Sequence, residues 1–244
     1  MKTIKILAVV LLAFFSTNAT AQDTNKDKNI VKVGYTSGCV SDFLVGIVKK
    51  QVQDPAEFSN LMAKMEAYKI HSSFYQNVKT KESVYVIDSI TEVGNLKTTG
   101  YTYFAYRNKD GQLFGKELFM GKDINFQGSV SDMEWTITDE QKEINGYQCK
   151  KAHIKGNPKV YVWFAPEIPV SGGPYVFYGL PGLVLESDSH FEAATATSIG
   201  YESTMIFEKK LTEVKDKVSD KKAISLEEVF AKKENFQRMI ANGK

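Results

Sequence analysis

The chain has 244 residues, with 31 Lys or Arg against 29 Asp or Glu, three His, two Cys, and two Trp, 12 Tyr and 15 Phe. A balance this close to neutral offers no electrostatic footprint for nucleic acid. The scarcity of His and Cys argues against a zinc site.

Lys2 and Lys5 precede an unbroken apolar run from Ile6 to Phe15, followed by a polar stretch ending in Ala19-Thr20-Ala21. This is the layout of a secretory signal peptide over 1–21. Ten apolar residues span only ~15 Å of a ~30 Å hydrocarbon core, so a transmembrane reading fails on length. No cysteine follows the cleavage site to carry a lipid. The expectation is export through the Sec pathway, with a mature chain that begins at Gln22 and carries 29 charges of each sign.

A polar tail over 22–29 is expected to be disordered. No Pro/Ser-rich linker and no repeat divides the rest, so 30–244 reads as one domain. Short runs of β-branched and aromatic residues predict strands at Ile30 to Thr36, Val40 to Val48, Ala67 to Val78, Ser83 to Asp88, Thr99 to Tyr106 and Gln112 to Met120. Further strands are expected at Met133 to Thr138, Tyr147 to Ile154, Lys159 to Phe164, Leu183 to Ser187, Phe191 to Ile199 and Thr204 to Leu211. Turn signals such as Asn108-Lys109-Asp110-Gly111 and Lys155-Gly156-Asn157-Pro158 separate them. The pattern is that of a mainly β (α+β) protein, a single antiparallel meander forming a curved sheet or half-barrel.

Two segments break that rhythm. Asp54 is a good N-cap for a helix opening at Pro55, with Glu57 at the capping-box position and Phe58, Leu61, Met62 and Met65 on one stripe. Such a stripe is more often core than a cofactor box. Ser225 and Glu228 repeat the cap ahead of Leu226, Val229, Phe230, Phe236 and Ile240, a C-terminal helix suited to covering a sheet edge or the mouth of a curved sheet. The charge-dense stretch from Glu208 to Lys222 mixes signs and reads as a solvated edge.

Cys39 and Cys149 would be free to pair in an oxidising compartment. A bridge between them would be worth up to ~4–5 kcal/mol in the chain-entropy model. The sequence leaves pairing and two free thiols both open. His153 shares a strand face with Cys149 but lies ~13 Å along it, too far for a thiol–imidazole pair.

From Gly173 to Ser187 the chain reads GPYVFYGLPGLVLES. Pro181 followed by Gly182 suits a type II turn, whose third position has positive φ. Ser171-Gly172-Gly173-Pro174 is another bend after Pro166 and Pro169. Trp163, Phe164, Tyr175, Phe177, Tyr178 and Leu180 surround these bends with large apolar side chains. The chain thus leaves a strand at Trp163, crosses in a rigid loop, and re-enters at Leu183.

These residues resemble the signature of the GLPGLI family, exported proteins of Bacteroidetes-type bacteria. Gly179-Leu180-Pro181-Gly182-Leu183 match it, with Val184 where the family name has Ile. Tyr147-Gln148-Cys149-Lys150-Lys151-Ala152, Trp163, Glu167-Ile168-Pro169 and Gly173-Pro174 are similar to further elements. The likeness covers roughly residues 80 to 210 and omits Cys39 and the helix at Pro55. It implies a single β-rich domain and a periplasmic or envelope location in a Gram-negative bacterium, and it assigns no chemistry.

Three readings of function follow. Glu186, Asp188 and His190 alternate, so on a continuous strand they would share a face and serve a hydrolase as an acid–base set or metal site. Asp188-Ser189 also reads as a turn that would scatter them, and His71 has no acidic or cysteine neighbour, so no catalytic residue, metal or cofactor is assigned. A binding protein is the favoured reading, with Tyr101 and Tyr103 on one strand face, Phe104 and Tyr106 on the other, and Trp163, Tyr175, Phe177 and Tyr178 adding aromatic surface for an apolar, glycan or extended peptide ligand. The third reading is a periplasmic subunit whose aromatics and rigid loop dock on an outer-membrane β-barrel transporter or secretion channel. Against both binding readings stands a sheet whose two faces are simply buried.

Overall fold

The computed structural model describes residues 26–94, 98, 100–189, 191–218 and 222–242. The leader expected over 1–21 and His190 lie outside the described residues. The first strand, β1 (Asp27–Gly38), starts inside the tail expected to be disordered. Its Asp27 is held there, accepting from the Asn29 amide and from the hydroxyl of Thr204.

From β1 the chain makes two helices, α1 (Asp42–Gln51) and α2 (Pro55–Ala67), and then β2 (Lys69–Asn77), β3 (Ser83–Thr91), β4 (Gly100–Arg107), β5 (Gln112–Phe119) and β6 (Lys122–Ser129). A 3-10 turn at Val130–Asp132 leads into β7 (Trp135–Ile144), β8 (Tyr147–Ile154) and β9 (Asn157–Ala165). After a long loop come β10 (Leu183–Ser189), β11 (Glu192–Glu202), α3 (Thr204–Lys215), the two-residue β12 (Ile224–Ser225) and α4 (Leu226–Ala241). The protein is mostly β.

The twelve strands form one open sheet in the order β12-β6-β5-β4-β3-β2-β1-β11-β10-β9-β8-β7. Neighbours are antiparallel except β12, which runs parallel to β6. β1 therefore sits in the middle, with one meander leaving it through β2 and another returning to it through β11. The two meanders are joined across nearly the whole sheet, because β6 and β7 follow each other in sequence yet β7 is at one edge and β6 next to the other. In a flat sheet their ten intervening spacings would put them ~48 Å apart, at ~4.8 Å per strand. The six steps from Ser129 to Trp135 reach at most ~20 Å. The sheet must curl. Consistent with that, one buried cluster joins Leu113 and Phe126 of β5 and β6 to Cys149, Ala152, Val160 and Val162 of β8 and β9.

Turn chemistry supports the meanders. Asn145-Gly146 between β7 and β8, and Met120-Gly121 between β5 and β6, both have two successive positive φ values, as tight hairpin turns require. The free edge at β7 carries Asp139, Glu140, Lys142 and Glu143 and an irregularity between Ile137 and Gln141, features that discourage edge pairing.

Two segments expected as strands are helices. Val40 to Val48 contains most of α1, because Ser41 caps the helix by accepting from the Leu44 amide, and Asp42 and Lys49-Lys50 complement its ends. Thr204 to Leu211 lies in α3, where Ser203 accepts from Ile206 and Phe207, Leu211 and Val214 fall on one buried face. That face packs on Ile30, Tyr75, Val84, Phe104 and Tyr106, covering the outer surface of β1 to β4. β6, unmarked in the sequence, lies beside the second edge, which the two-residue β12 completes. The helices expected at Pro55 and Ser225 are present, with Asp54 accepting from Ala56 and Glu57, and Ser225 and Glu228 forming a capping box. No helix among the described residues is long and apolar enough to cross a membrane.

Candidate functional site

The loop between β9 and β10 fills the inside of the curl. Tyr175, Phe177, Tyr178 and Leu180 are all buried in the main core. The Tyr178 and Ser83 hydroxyls lie 3.0 Å apart, and the Tyr178 carbonyl accepts from Trp135 Nε1 at 2.7 Å. Tyr175 meets the ring of Tyr85, and Tyr178 that of Phe74, at centroid distances of 5.6 and 6.2 Å. The loop is pinned at its root by the Val184 amide, which donates to the Gly172 carbonyl at 2.9 Å.

Its glycines are there for space. A Cβ on Gly172 would lie 2.6 Å from the Phe74 ring, and one on Gly173 would lie 2.5 Å from Val184 Cβ. Gly182 does not have the positive φ expected of it; that conformation belongs to Gly179, at 91°. What Gly182 supplies is clearance, since its Cβ would meet the Ala165 carbonyl oxygen at 2.3 Å. Gly173, Pro174, Gly179, Leu180, Pro181, Gly182 and Leu183 together let a bulky aromatic loop lie against the sheet.

The six aromatics expected to share a binding face occupy three places. Tyr175, Phe177 and Tyr178 are inside the core. Trp163 lies on the outer face of β9, under the ammonium groups of Lys142 and Lys151 at 4.4 and 5.7 Å from the ring centroid. Tyr101 and Tyr103 stay partly accessible and meet edge to face at 5.0 Å. An irregularity of β4 between Thr102 and Phe104 disturbs the expected alternation, so Phe104 lines the same groove as both tyrosines. With Val86, Ile87 and Ile90 of β3 they wall a groove of about 520 Å³, and Lys116 and Lys217 stand at its polar margin.

Lys116 is bound to Asp123 at 2.7 Å and lies 5.3 Å from the Tyr103 centroid, while the Tyr103 hydroxyl donates to Asp123 at 3.1 Å. The Lys116 hydrogen bond holds Asp123 below the usual carboxylate range. Burial and the Asp123 charge push the Tyr103 phenol up, so it stays protonated. The groove thus offers an apolar wall bordered by the Lys217 ammonium and by the Lys116–Asp123 ion pair. A second recess of about 390 Å³ lies at the other side of the loop, between Ile168, Pro169 and Val170 and the Val31, Ile199 and Tyr201 side chains.

Glu186 and Asp188 share the outer face of β10, paired in register with Trp163 and Tyr161. Glu186 is occupied by Lys142. Asp188 accepts from the Asp42 amide at the start of α1 at 2.8 Å, and Asp42 in turn accepts from the Tyr161 hydroxyl at 2.9 Å. Burial raises Asp188 to about 6, with the Asp42 amide partly offsetting it and the Asp42 and Glu186 charges adding to it. Lys142 and Asp42, which the sequence reading did not single out, reach this face only through β7 pairing and the docking of α1. Among the described residues, no group of three His, Cys, Asp or Glu could hold a metal ion. Cys39 and Cys149 are both buried and free, in separate clusters, so they form no disulfide.

A family model described as "Protein of unknown function (Porph_ging)" matches residues 153–186, from the end of β8 through β9 and the loop into β10. No curated protein matches the chain. Among solved structures, two crystal forms of PNGF-II are similar at 15% and 14% identity, each with a TM-score of 0.42. The matches cover 72% and 75% of this chain but only 29% and 33% of those, so the chain spans about a third of their length.

Proposed function

We propose that this is an exported envelope protein that binds a ligand with an apolar body and an anionic end, and that the groove at Tyr101 and Tyr103 is its contact surface. The observation that carries this reading is the groove itself: an aliphatic and aromatic wall of about 520 Å³, bordered by Lys116 and Lys217. That volume lies within the range of small-molecule sites, which combine apolar walls with a few placed polar groups. Export rests on the leader pattern over 1–21. The GLPGLI-type resemblance and the match at 153–186 draw on the same strand and loop, and an envelope location is what the resemblance implies.

The test uses the mature chain and a fluorescent fatty acid, cis-parinarate. Saturable binding should weaken in Tyr103→Ala and in Lys217→Glu while surviving in Tyr201→Ala, which alters the other recess. Binding absent from the wild type, or indifferent to both groove substitutions, would sink the reading. N-terminal sequencing of the protein from its own envelope fraction tests export, with Gln22 as the expected first residue.

A further inference from the structure

At the mouth of the curl, α4 lies over the inner face of the sheet and closes a small chamber of about 20 Å³, room for roughly one water. Its walls include Thr102, Glu117, Tyr175, Ser189 and Glu192, and from α4 itself Lys233. Glu117 comes from β5, Glu192 from the start of β11, and Tyr175 from the loop, so residues distant in sequence converge on one point. Lys233 donates to Glu117 at 2.7 Å, and the Glu117 side chain is only 3% exposed.

The chamber is unusual in what it leaves unsatisfied. Glu117 Oε1, Glu192 Oε2 and the Tyr175 hydroxyl in its wall are buried without a hydrogen bond of ordinary geometry, although the Tyr175 hydroxyl lies close enough to Glu192 to favour its charged form. Burying such groups unpaired is costly, and a helix that merely sealed a core would do better with apolar side chains. Two carboxylates share a single ammonium. Glu192 responds by rising to about 7, driven first by burial and opposed by Lys233, with Glu117 adding to the rise. Along α4, Leu226, Val229 and Gln237 are buried, Phe230 packs partly buried on the main core, and Phe236 meets the rings of Phe119 and Phe191.

An ammonium group has three donors, and Lys233 directs one of them at Glu117 Oε2. Glu117 Oε1, Glu192 Oε2 and the Tyr175 hydroxyl are acceptors that a better-placed ammonium would use, and Phe126, Phe177 and Phe230 supply apolar surface for its stem. We propose that the chamber beneath α4 is a binding site for a ligand bearing a primary ammonium group, and that Lys233 occupies the ligand's place when α4 is closed. α4 is then a tethered competitor, and access requires it to lift. This site is independent of the groove at Tyr101, and neither stands or falls with the other.

The experiment measures binding of n-butylammonium chloride to the full mature chain by calorimetry, against potassium chloride at equal ionic strength. Lys233→Ala removes the competitor and should bind about ten-fold more tightly than the wild type, equivalent to about 1.4 kcal/mol. Adding Glu192→Gln should lose that gain. Equal affinity in the wild type and Lys233→Ala, or a gain that survives Glu192→Gln, would overturn the proposal. Hydrogen exchange on the unaltered protein provides a test that does not depend on variants folding. Saturating n-butylammonium should speed exchange within 226–241 and leave β1 and β2 unchanged, whereas a helix that opens only with the whole sheet would overturn the lid.

Discussion

Gly182 and Ala165 approach so closely that a Cβ on the glycine would lie 2.3 Å from the alanine carbonyl oxygen. Gly182→Ala should therefore destabilise by about 1–3 kcal/mol through overpacking, although its backbone is not left-handed. Gly46, inside α1, has nothing within 4 Å of the position its Cβ would take. Gly46→Ala should stabilise by about 0.5–1 kcal/mol from helix propensity. Urea unfolding of the two variants checks both signs. Similar effects at the two positions would show that clearance against Ala165 is not what Gly182 provides.

Tyr178 ties the loop to the opposite side of the curl. Tyr178→Phe keeps the ring against Phe74 but leaves the fully buried Ser83 hydroxyl without its partner, a loss of about 1–3 kcal/mol. Adding Ser83→Ala removes the orphaned hydroxyl and should recover part of that loss, a coupling that a double-mutant cycle measures. Tyr178→Ala empties the core position and should cost about 3–5 kcal/mol. If the two hydroxyls prove additive, their contact does not tie the loop to β3, and Trp135 and packing hold it instead.

The strands were legible where β-branched and aromatic residues crowd together, as in Lys69–Asn77 and Tyr147–Ile154. α1 reads as a strand because its nearly unbroken apolar run, Phe43 to Val48, does not reveal its period. In α3, Met205 and Ile206 are exposed, at 72% and 37%, and they disguise the helical spacing of Phe207, Leu211 and Val214. β6 escaped notice because Phe126 is its only buried side chain. The loop was recognised as rigid, but the role of each glycine depends on atoms from β2, β9 and β10 that sequence spacing does not bring together. The groove was half visible in Tyr101 and Tyr103, while Glu117, Glu192 and Lys233 meet only through the curl of the sheet.

Asp188 gives the protein a pH dependence of definite sign. Its carboxyl is raised to about 6 in the folded state from an ordinary value of 3.8, chiefly by burial. The folded chain therefore binds this proton more tightly than the unfolded chain does. Its destabilising contribution is absent at low pH, grows as pH rises from about 4, and is complete above about 6. Its contribution to stability should accordingly fall over that window, and Asp188→Asn should remove that contribution. Glu192, raised to about 7, contributes a drop of the same sign that extends to higher pH and survives the substitution. Unfolding midpoints of the wild type and of Asp188→Asn between pH 4 and 8 isolate this contribution from the opposite one of lowered carboxylates such as Asp123, and a difference between the two that does not change with pH would contradict the burial of Asp188.

The two cysteines are expected to be inert as well as unpaired. Burial pushes the Cys149 thiol up to about 11, with Glu186 and Glu167 adding to the rise and Lys142 partly offsetting it. Burial also raises Cys39, and the thiolate is the form that reacts. A thiol reagent at pH 8 should leave both residues unlabelled in the folded protein and label both in denaturant. Dithiothreitol should not move the melting temperature, since no bridge constrains the unfolded chain. A melting temperature lowered by the reductant, or an intact mass lacking the thiol hydrogens, would mean that Cys39 and Cys149 come together in a way their separate clusters do not allow.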